Sequence, residues 1–482
     1  MILKPNTDQP TRGKNIGIFS DTHGKGAEVI IPYALEFKKR NVDIVVNNGD
    51  IYDRDIEAMK VCFPDITIIA ALTNDQVDFY KKKLEDLKDK NASIEKKYGL
   101  KKLEDEIRSM DSLFNEIKAI CSLSQDQQQA WLKKAEQLKQ AGMLIEEKIK
   151  YEEISDEIKK MEADRKSIQL FFPSNWHITI PGPTRIVPLP GGDMSLYVGH
   201  KLAFNYFISK PESELETELL EFIRKYDSLR LFTTGHGHHQ FAVYLGLCLI
   251  INSGAASEPT GIAGGWEFAI FNTLTKRLIL SRIPRTESTK PYLKIAVITD
   301  SLDISEDDPG FWKKLAEVLK NDGVTHIVHC GNIAKADIGR PELKKFKVYF
   351  NPVLGDERLT DYSAHKNWFE LKPDADDKEN CFQEIEGYSF LVRLNFGLDI
   401  GRMSEAGMGD FAKNMIRKHP STYHMFCRVT PNTFCEELPK IMILKPGNIH
   451  SGRCYATLEL PRNEFTFDRV PYDPLPLVTW ST

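Results

Sequence analysis

Four polar clusters and one isolated histidine have the residue types and spacing of metal chemistry. Asp21-Thr22-His23 follows the apolar run 16–20, Gly49-Asp50 ends the run 42–50, and Asn74-Asp75 ends the run 66–75. His200 lies near the end of the run 194–204, and Gly235-His236-Gly237-His238-His239 follows Leu229 to Thr234. Carboxylates, carboxamide oxygens and neutral imidazoles are ligands of divalent metals. Seven candidate ligands result: Asp21, His23, Asp50, Asn74, His200, His236 and His238. Such a set suits hydrolysis of a phosphate ester, where an oxygen nucleophile must approach an anionic centre. Two cations about 4 Å apart activate that nucleophile and stabilise both the entering and leaving oxygens. A carboxylate must bridge them, and Asp50 fits that role. Gly237 permits a tight turn that aims both flanking imidazoles into one site. Each cluster alone is a weak signal, because Asp-x-His and Gly-Asp recur in ordinary turns and a lone histidine is more often a core or surface residue. Their order along the chain is the stronger signal.

Elements that would position these groups can be read around them. Strand-like runs at 16–20, 42–50 and 66–75 alternate with a helical stretch at about 28–40, the pattern of a parallel α/β sheet covered on both faces. Each cluster falls just after a strand, at the carboxyl edge where open α/β sheets bind ligands. Residues 78–170 differ. They contain no proline, carry 20 Lys/Arg against 20 Asp/Glu, and space apolar residues helically, as in Leu84, Leu87, Ile94 and Tyr98. Ser124 with Gln127 resembles a capping box that begins a second helix. The expectation is an antiparallel, coiled-coil-like hairpin whose mixed charge is a solvated surface or a docking face for a protein partner. Gly99 and Gly142 interrupt it. Strand-like runs return over 171–285, with a helix at about 212–226, so the hairpin reads as an insertion into one domain formed by 1–77 and 171–285.

Residues 292–482, beyond a linker at 286–291, repeat the first domain. Segments 293–301, 324–332, 347–357, 388–397 and 441–452 parallel 15–23, 42–50, 66–75, 194–204 and 247–257 in the same order. The second copy has lost the ligands. Asp300-Ser301-Leu302 replaces Asp-x-His, Gly331-Asn332 replaces Gly-Asp, Asp356 stands at the Asn position, Arg393 lies in the single-His region, and 423–434 offers no histidine pair. That leaves too few donors for two cations. Structural packing, or substrate selection and partner binding, are the roles left to it.

The 482 residues, 41% hydrophobic, are enough for two or three domains, and the net charge of −5 argues against long nucleic acid as a partner. Eight cysteines without a CxxC pair suit free thiols in a reducing compartment. No signal-peptide core and no apolar stretch of about 20 residues is present, so a cytoplasmic protein with no membrane span is expected. There is no GxxxxGK[ST] loop, no GxGxxG after the first strand and no GxSxG elbow. Gly261 to Gly265 reads as a flexible loop beside the site.

The ordered set resembles the signature of the calcineurin-like metallophosphoesterase family: D-x-H, G-D, G-N-x-x, a single His, then G-H-x-H. The resemblance covers about 15–77 and 171–285. Its nearest branch is the compact bacterial and archaeal phosphodiesterase type, where an NPGS-like turn follows the last histidine motif, as Asn252-Ser253-Gly254-Ala255 does here. The resemblance implies a four-layer αββα sandwich, here duplicated, with the helical hairpin inserted in the first copy. It also implies two divalent ions, Mn, Fe, Zn or Ni with Mn favoured, and a phosphodiester or phosphomonoester substrate. By it, Asp21, His23, Asp50 and His238 hold one ion, Asp50, Asn74, His200 and His236 hold the other, and Asp50 bridges. Two positions depart from the pattern. Thr73 replaces the glycine before the ligand Asn, and Asp75 replaces the histidine that protonates the leaving group in many members. Asp75 is then either a proton donor of raised pKa or a turn residue, and His239 either touches substrate or lies on the surface. The competing reading is a non-catalytic scaffold that binds protein partners through the hairpin and second domain.

Overall fold

The structure is a computed structural model. It describes residues 13–98, 168–169, 172–180, 185–189, 194–199, 228–235, 240–245, 248–256, 265–284, 288–302, 304–331, 333–350, 353–354, 357–358, 364–373, 380–393, 422–427, 434–438, 441–446 and 453–471, with single residues at 166, 223, 226, 238, 417 and 449. In the N-terminal half the strands are β1 (Asn15–Phe19), β2 (Ile44–Asn47), β3 (Thr67–Ala71), β4 (Trp176–Thr179), β5 (Ile186–Pro188), β6 (Ser195–Val198), β7 (Leu229–Thr234), β8 (Gln240–Leu245), β9 (Cys248–Ser253), β10 (Trp266–Asn272) and β11 (Leu278–Ile283). Helices α1 (Ala27–Lys39), α2 (Asp53–Cys62) and α3 (Asn74–Tyr98) follow β1, β2 and β3. The C-terminal half contains β12 (Leu293–Ile298), α4 (Ile304–Asp307), α5 (Phe311–Asn321), β13 (His326–His329), β14 (Lys347–Phe350), β15 (Val353–Leu354), β16 (Glu357–Arg358), β17 (Trp368–Glu370), β18 (Lys372–Pro373), β19 (Asn380–Ile385), β20 (Tyr388–Arg393), β21 (Thr422–Cys427), β22 (Phe434–Leu438), β23 (Ile441–Lys445), β24 (Cys454–Leu460) and β25 (Glu464–Arg469).

Two large mixed sheets run through both halves. The 12-stranded sheet has the order β4-β3-β2-β1-β10-β11-β25-β24-β12-β13-β14-β17. The 11-stranded sheet has the order β5-β6-β7-β9-β8-β22-β23-β21-β20-β19-β18. Counted outward from either junction, strand order and direction are the same on both sides. From the β11–β25 junction two antiparallel pairings are followed by parallel ones, and from the β8–β22 junction one antiparallel pairing is. The five segment pairs of the sequence reading occupy corresponding strands: β1 with β12, β2 with β13, β3 with β14, β6 with β20, and β9 with β23.

Alternation along the strands sets the layers. Ile16, Ile18, Ile44, Val46, Ile69 and Ala71 face the second sheet and meet Leu231, Leu249 and Ile251 in one core. Their neighbours Phe19, Val45, Ile68 and Ala70 face outward, under Val29, Tyr33, Phe37, Ile56 and Met59 of α1 and α2. In the C-terminal half, Ala296 and Ile298 likewise lie under Phe311, Trp312 and Leu315 of α5. Gly17 allows α1 to close on β1, since a Cβ there would lie 2.7 Å from the Phe37 ring. Among the described residues, no helix is long and apolar enough to cross a membrane.

Several expectations shift. Helix α1 lies within a residue of its expected bounds. Helix α3 starts at Asn74, four residues before the expected hairpin, because Thr73 and Gln76 form a capping box: Thr73 N–H donates to Gln76 Oε1 (2.9 Å) and Gln76 N–H to Thr73 Oγ1 (3.4 Å). Strands β4 and β8 were not anticipated. The hairpin beyond residue 98, with Ser124, Gln127 and Gly142, lies outside the described residues except at 166 and 168–169. Of the helix expected at 212–226, only Ile223 is described as helical.

Among the described residues the halves are joined by hydrogen-bonded strands and by ion pairs, Arg277 with Asp322 and Asp468 and a half-buried network around Arg40. Leu278, Ile279 and Leu280 pair with Phe467, Thr466 and Phe465, and Phe241, Ala242 and Val243 pair with Glu436, Cys435 and Phe434. Arg40 at the end of α1 holds Glu464 of β25 through both terminal nitrogens (3.2 and 2.5 Å) and Glu36 through Nε (2.7 Å), while Ser281 Oγ donates to Glu464 (2.6 Å). Burial pushes the Glu36 carboxyl upward, but the hydrogen bond and charge of Arg40, with Lys39, more than offset it and hold it below 4.5. Arg40→Met is therefore expected to destabilise the chain by roughly 2–4 kcal/mol at neutral pH, somewhat less than breaking a fully buried pair. A group whose folded pKa is depressed contributes fully above its unfolded pKa and loses that contribution as pH falls through the folded one. Urea unfolding at pH 7 and again below pH 4 checks this, and the difference between wild type and Arg40→Met should shrink at the lower pH.

Candidate metal centre

The loop after β1 and the loop after β2 run side by side as an extension of the parallel sheet. Asn48 N–H donates to the Phe19 carbonyl (3.1 Å), Asp21 N–H to Gly49 (3.2 Å) and His23 N–H to Asp50 (3.1 Å). The end of β7 joins them from the second sheet. Asn48 Nδ2 donates to the Thr234 carbonyl (2.9 Å) and Thr233 Oγ1 donates to Asn48 Oδ1 (2.8 Å). Asn252 at the end of β9 donates to the Gly235 carbonyl (3.3 Å), and its Oδ1 accepts the Gly254 N–H (3.0 Å). Gly235 is required by crowding, because a Cβ there would sit 2.8 Å from Ser20 Cβ and 3.1 Å from Asp21 Oδ2.

This framework brings together Asp21, His23 and His238. One ligand atom of each lies within 4.8 Å of the others. His23 Nε2 and His238 Nε2 are 3.4 Å apart, and His238 Nε2 is 3.7 Å from Asp21 Oδ1. The Asp21 side chain is fully buried and that of His238 is 23% exposed. A cation with bonds of about 2.0–2.2 Å holds adjacent ligand atoms roughly 3.0–3.5 Å apart, so the donor set fits a divalent metal after small adjustments. Oxygen and imidazole nitrogen are also the right ligand types.

Backbone conformation marks the same residues. Asp21, His23, Asp50 and His238 have φ of 57°, 48°, 51° and 53°. A left-handed conformation at a non-glycine residue costs on the order of 1–3 kcal/mol and persists where surrounding contacts over-determine it. Asp and His tolerate it better than branched residues do.

The other sequence candidates are distributed as follows. Asp50 lies beside His23 through its backbone carbonyl and is not a member of the three-residue cluster. Asn74 and Asp75 are exposed in the first turn of α3, where a carboxylate is favoured by the helix N-terminus. His200, His236 and His239, with Gly237, lie outside the described residues. Sequence reading overlooked Asp55, whose buried carboxylate accepts four hydrogen bonds from the two ligand loops. Its signal was an acid three residues past Tyr52, the residue that caps α2. The interlocking role of Asn48 was overlooked as well.

In the C-terminal half, Asp300 keeps the left-handed conformation (φ 53°) and donates its N–H to the Gly331 carbonyl (3.0 Å), as Asp21 does to Gly49. Asn47 Oδ1 accepts the Gly49 N–H (2.9 Å), and His329 Nδ1 accepts the Gly331 N–H (3.3 Å). That contact puts the His329 proton on Nε2, which faces Ser301 Oγ at 2.8 Å. Leu302 stands where His23 stands in the first half. Asn332 and Asp356 lie outside the described residues.

No family model matches the chain. None of the curated proteins matches it. Solved structures do match in part. An archaeal phosphodiesterase is 14% identical, with a TM-score of 0.26, over 37% of this chain and 99% of its own. The phosphoesterase Yfce from E. coli is 14% identical, with a TM-score of 0.25, over 56% of this chain and 92% of its own. A metallophosphoesterase from Sphaerobacter thermophilus is 14% identical, with a TM-score of 0.26, over 64% of this chain and 95% of its own. Similarity at this level assigns neither family nor reaction, and the case for function rests on the residues of this chain.

Proposed function

We propose that the chain is a metal-dependent phosphoesterase whose centre is built by the N-terminal half, in a metallophosphoesterase-like domain that has been duplicated. The observation that carries this reading is the convergence of a buried Asp21 carboxylate with the imidazole nitrogens of His23 and His238, at the ends of strands from two sheets. Matching strand order on either side of the two junctions supports duplication.

In this reading Asp21, His23 and His238 hold one ion, Asp50 bridges, and Asn74, His200 and His236 complete the second site. Bound divalent ions, Mn favoured, supply a Lewis acid for the phosphate oxygens and lower the proton affinity of water. The chain supplies position. Left-handed Asp21, His23 and His238 bring their side chains together beyond the strand ends, the Asn48 contacts with Thr233 and Thr234 tie the two sheets there, and Asn252 ties the ends of β7 and β9 within the second sheet. Asp75 at the helix start and His239 are the side chains available to move a proton at the leaving oxygen or touch the substrate. The C-terminal half acts as a packing partner without a metal pair, and the helical hairpin is available to a protein partner. Cys62, Cys248 and Cys381 carry free thiols, in keeping with a reducing compartment such as the cytoplasm. Burial pushes the Cys248 thiol up to about 12.

Two outcomes test the reading. The purified chain should bind about two Mn ions and hydrolyse bis(p-nitrophenyl) phosphate, with activity abolished by a chelator and restored by Mn. Asp50→Ala should lower kcat/KM by on the order of a hundredfold or more, since a metal contact is worth several kcal/mol and each 1.4 kcal/mol is tenfold. A chain that takes up no transition metal would instead be a scaffold. For the second half, Asp300→Asn should leave hydrolysis within about twofold of wild type while the fold is retained. A tenfold loss in that folded variant would put chemistry in the C-terminal half.

A further inference from the structure

We infer that Asp55 is a positioning residue that couples the two ligand loops, so that metal affinity depends on a carboxylate that does not itself touch the metal. The inference rests on the phosphoesterase reading and deepens it.

Asp55 is fully buried in the first turn of α2. Its Oδ2 accepts from Thr22 Oγ1 (2.8 Å), Gly24 N–H (2.9 Å) and Tyr52 N–H (2.9 Å), and its Oδ1 accepts from Gly26 N–H (2.7 Å). Thr22 and Gly24 flank His23, and Thr22 also separates it from Asp21. Tyr52 lies two residues past Asp50. One carboxylate thus grips the segments on which three candidate ligands sit. Gly24 and Gly26 have φ of 74° and 59°, so the segment from Asp21 to Gly26 carries four left-handed residues; the amides of Asp21 and His23 donate to the Gly49 and Asp50 carbonyls, and those of Gly24 and Gly26 to Asp55. An ionised carboxylate serves several amide donors at once and more strongly than a neutral acceptor.

The C-terminal half offers a contrast. Asp337 stands at the same step past Gly331 as Asp55 past Gly49, and it too is fully buried. Its Oδ1 accepts from the Arg340 guanidinium (3.0 and 2.8 Å) and from Ser305 Oγ. Among the described residues the donors to this carboxylate are side chains, in the half where Leu302 stands in the place of the histidine.

The test uses the full chain and Mn alone. Asp55→Asn replaces an acceptor oxygen with an NH2 group that faces donors. Calorimetric titration should show its Kd for Mn raised about 10- to 100-fold, the usual cost of losing a group that orients metal ligands. Excess Mn should restore most of kcat in Asp55→Asn but not in Asp50→Ala. Thr22→Val removes a single donor and should raise Kd several-fold. It serves as the measurement if Asp55→Asn does not fold. A lowered unfolding midpoint in chelator, with Mn affinity within twofold of wild type in the folded variants, would mean a purely structural role and overturn the inference. Wild-type protein that binds no Mn would overturn the phosphoesterase reading, and the inference with it. A wild type that binds Mn beside variants that bind it equally well overturns the inference alone.

Discussion

The structure depends on holding a buried carboxylate and two imidazoles against one another at the meeting point of two sheets. Burying the Asp21 carboxylate is costly unless its charge is answered. The answer here is local: Ser20 Oγ lies 2.5 Å from Asp21 Oδ2, and the His238 imidazole faces Oδ1. None of these groups can move far. Ser20 is held against the Gly254 carbonyl (2.8 Å), Gly235 is pressed onto Ser20, and Asn48 bridges the sheets. The all-apolar interface beneath the site, from Ile18 and Val46 to Leu231 and Ile251, keeps the two strand ends at one separation, as close-packed interiors do.

How much of this is legible in the sequence depends on whether the determining contact is local. Strands β1, β2 and β3 are short runs buried on both faces, and such runs read directly because nothing but Asn15, Asn47 and Thr67 at their ends interrupts the apolar residues. The polar residues ending them are legible for the same reason: the break from apolar to Asp or Asn is abrupt. Strand β4 is harder, since Trp176 to Thr179 is four residues with His177 in it, and nothing nearby says it pairs with β3. Strand β8 is concealed by the histidine cluster before it. The start of α3 turns on a single reciprocal pair, Thr73 with Gln76. That pair also gives a reason for threonine where the family pattern has glycine: it caps a helix. Asn48 was beyond reach because its partners Thr233 and Thr234 are distant in sequence, and Asp55 was legible only as a helix-capping acid, since its contacts to Thr22, Gly24 and Gly26 lie in a loop whose path is not periodic.

The junction between halves teaches a related lesson. The five repeated segments are visible in sequence, yet nothing in them announces that β11 pairs with β25 and β8 with β22, so that each sheet becomes continuous. Edge strands left open are a liability. Pairing the two halves edge to edge removes four such edges, and Arg40, Glu464 and Ser281 lock the arrangement beneath the surface. Arg40 sits at the end of α1, the helix that leads away from the Asp21 loop. The junction and the candidate centre are thus two ends of one element.

The two halves share a backbone arrangement at the first strand end and differ in the side chains that fill it. Asp300 repeats the left-handed turn and the hydrogen bond of Asp21. What changes is what fills the space. His329 takes over the amide contact that Asn47 makes and then turns its other nitrogen to Ser301. A side chain engaged at both nitrogens is a satisfied core group, not a ligand. The first half has made the opposite choice: its small acceptor Asn47 leaves room, and the imidazoles of His23 and His238 face each other across that space at 3.4 Å. The geometry is maintained because Asp55, Asn48 and Gly235 hold the loops from three directions, so the three side chains of the candidate centre are preorganised by contacts made to the backbone around them.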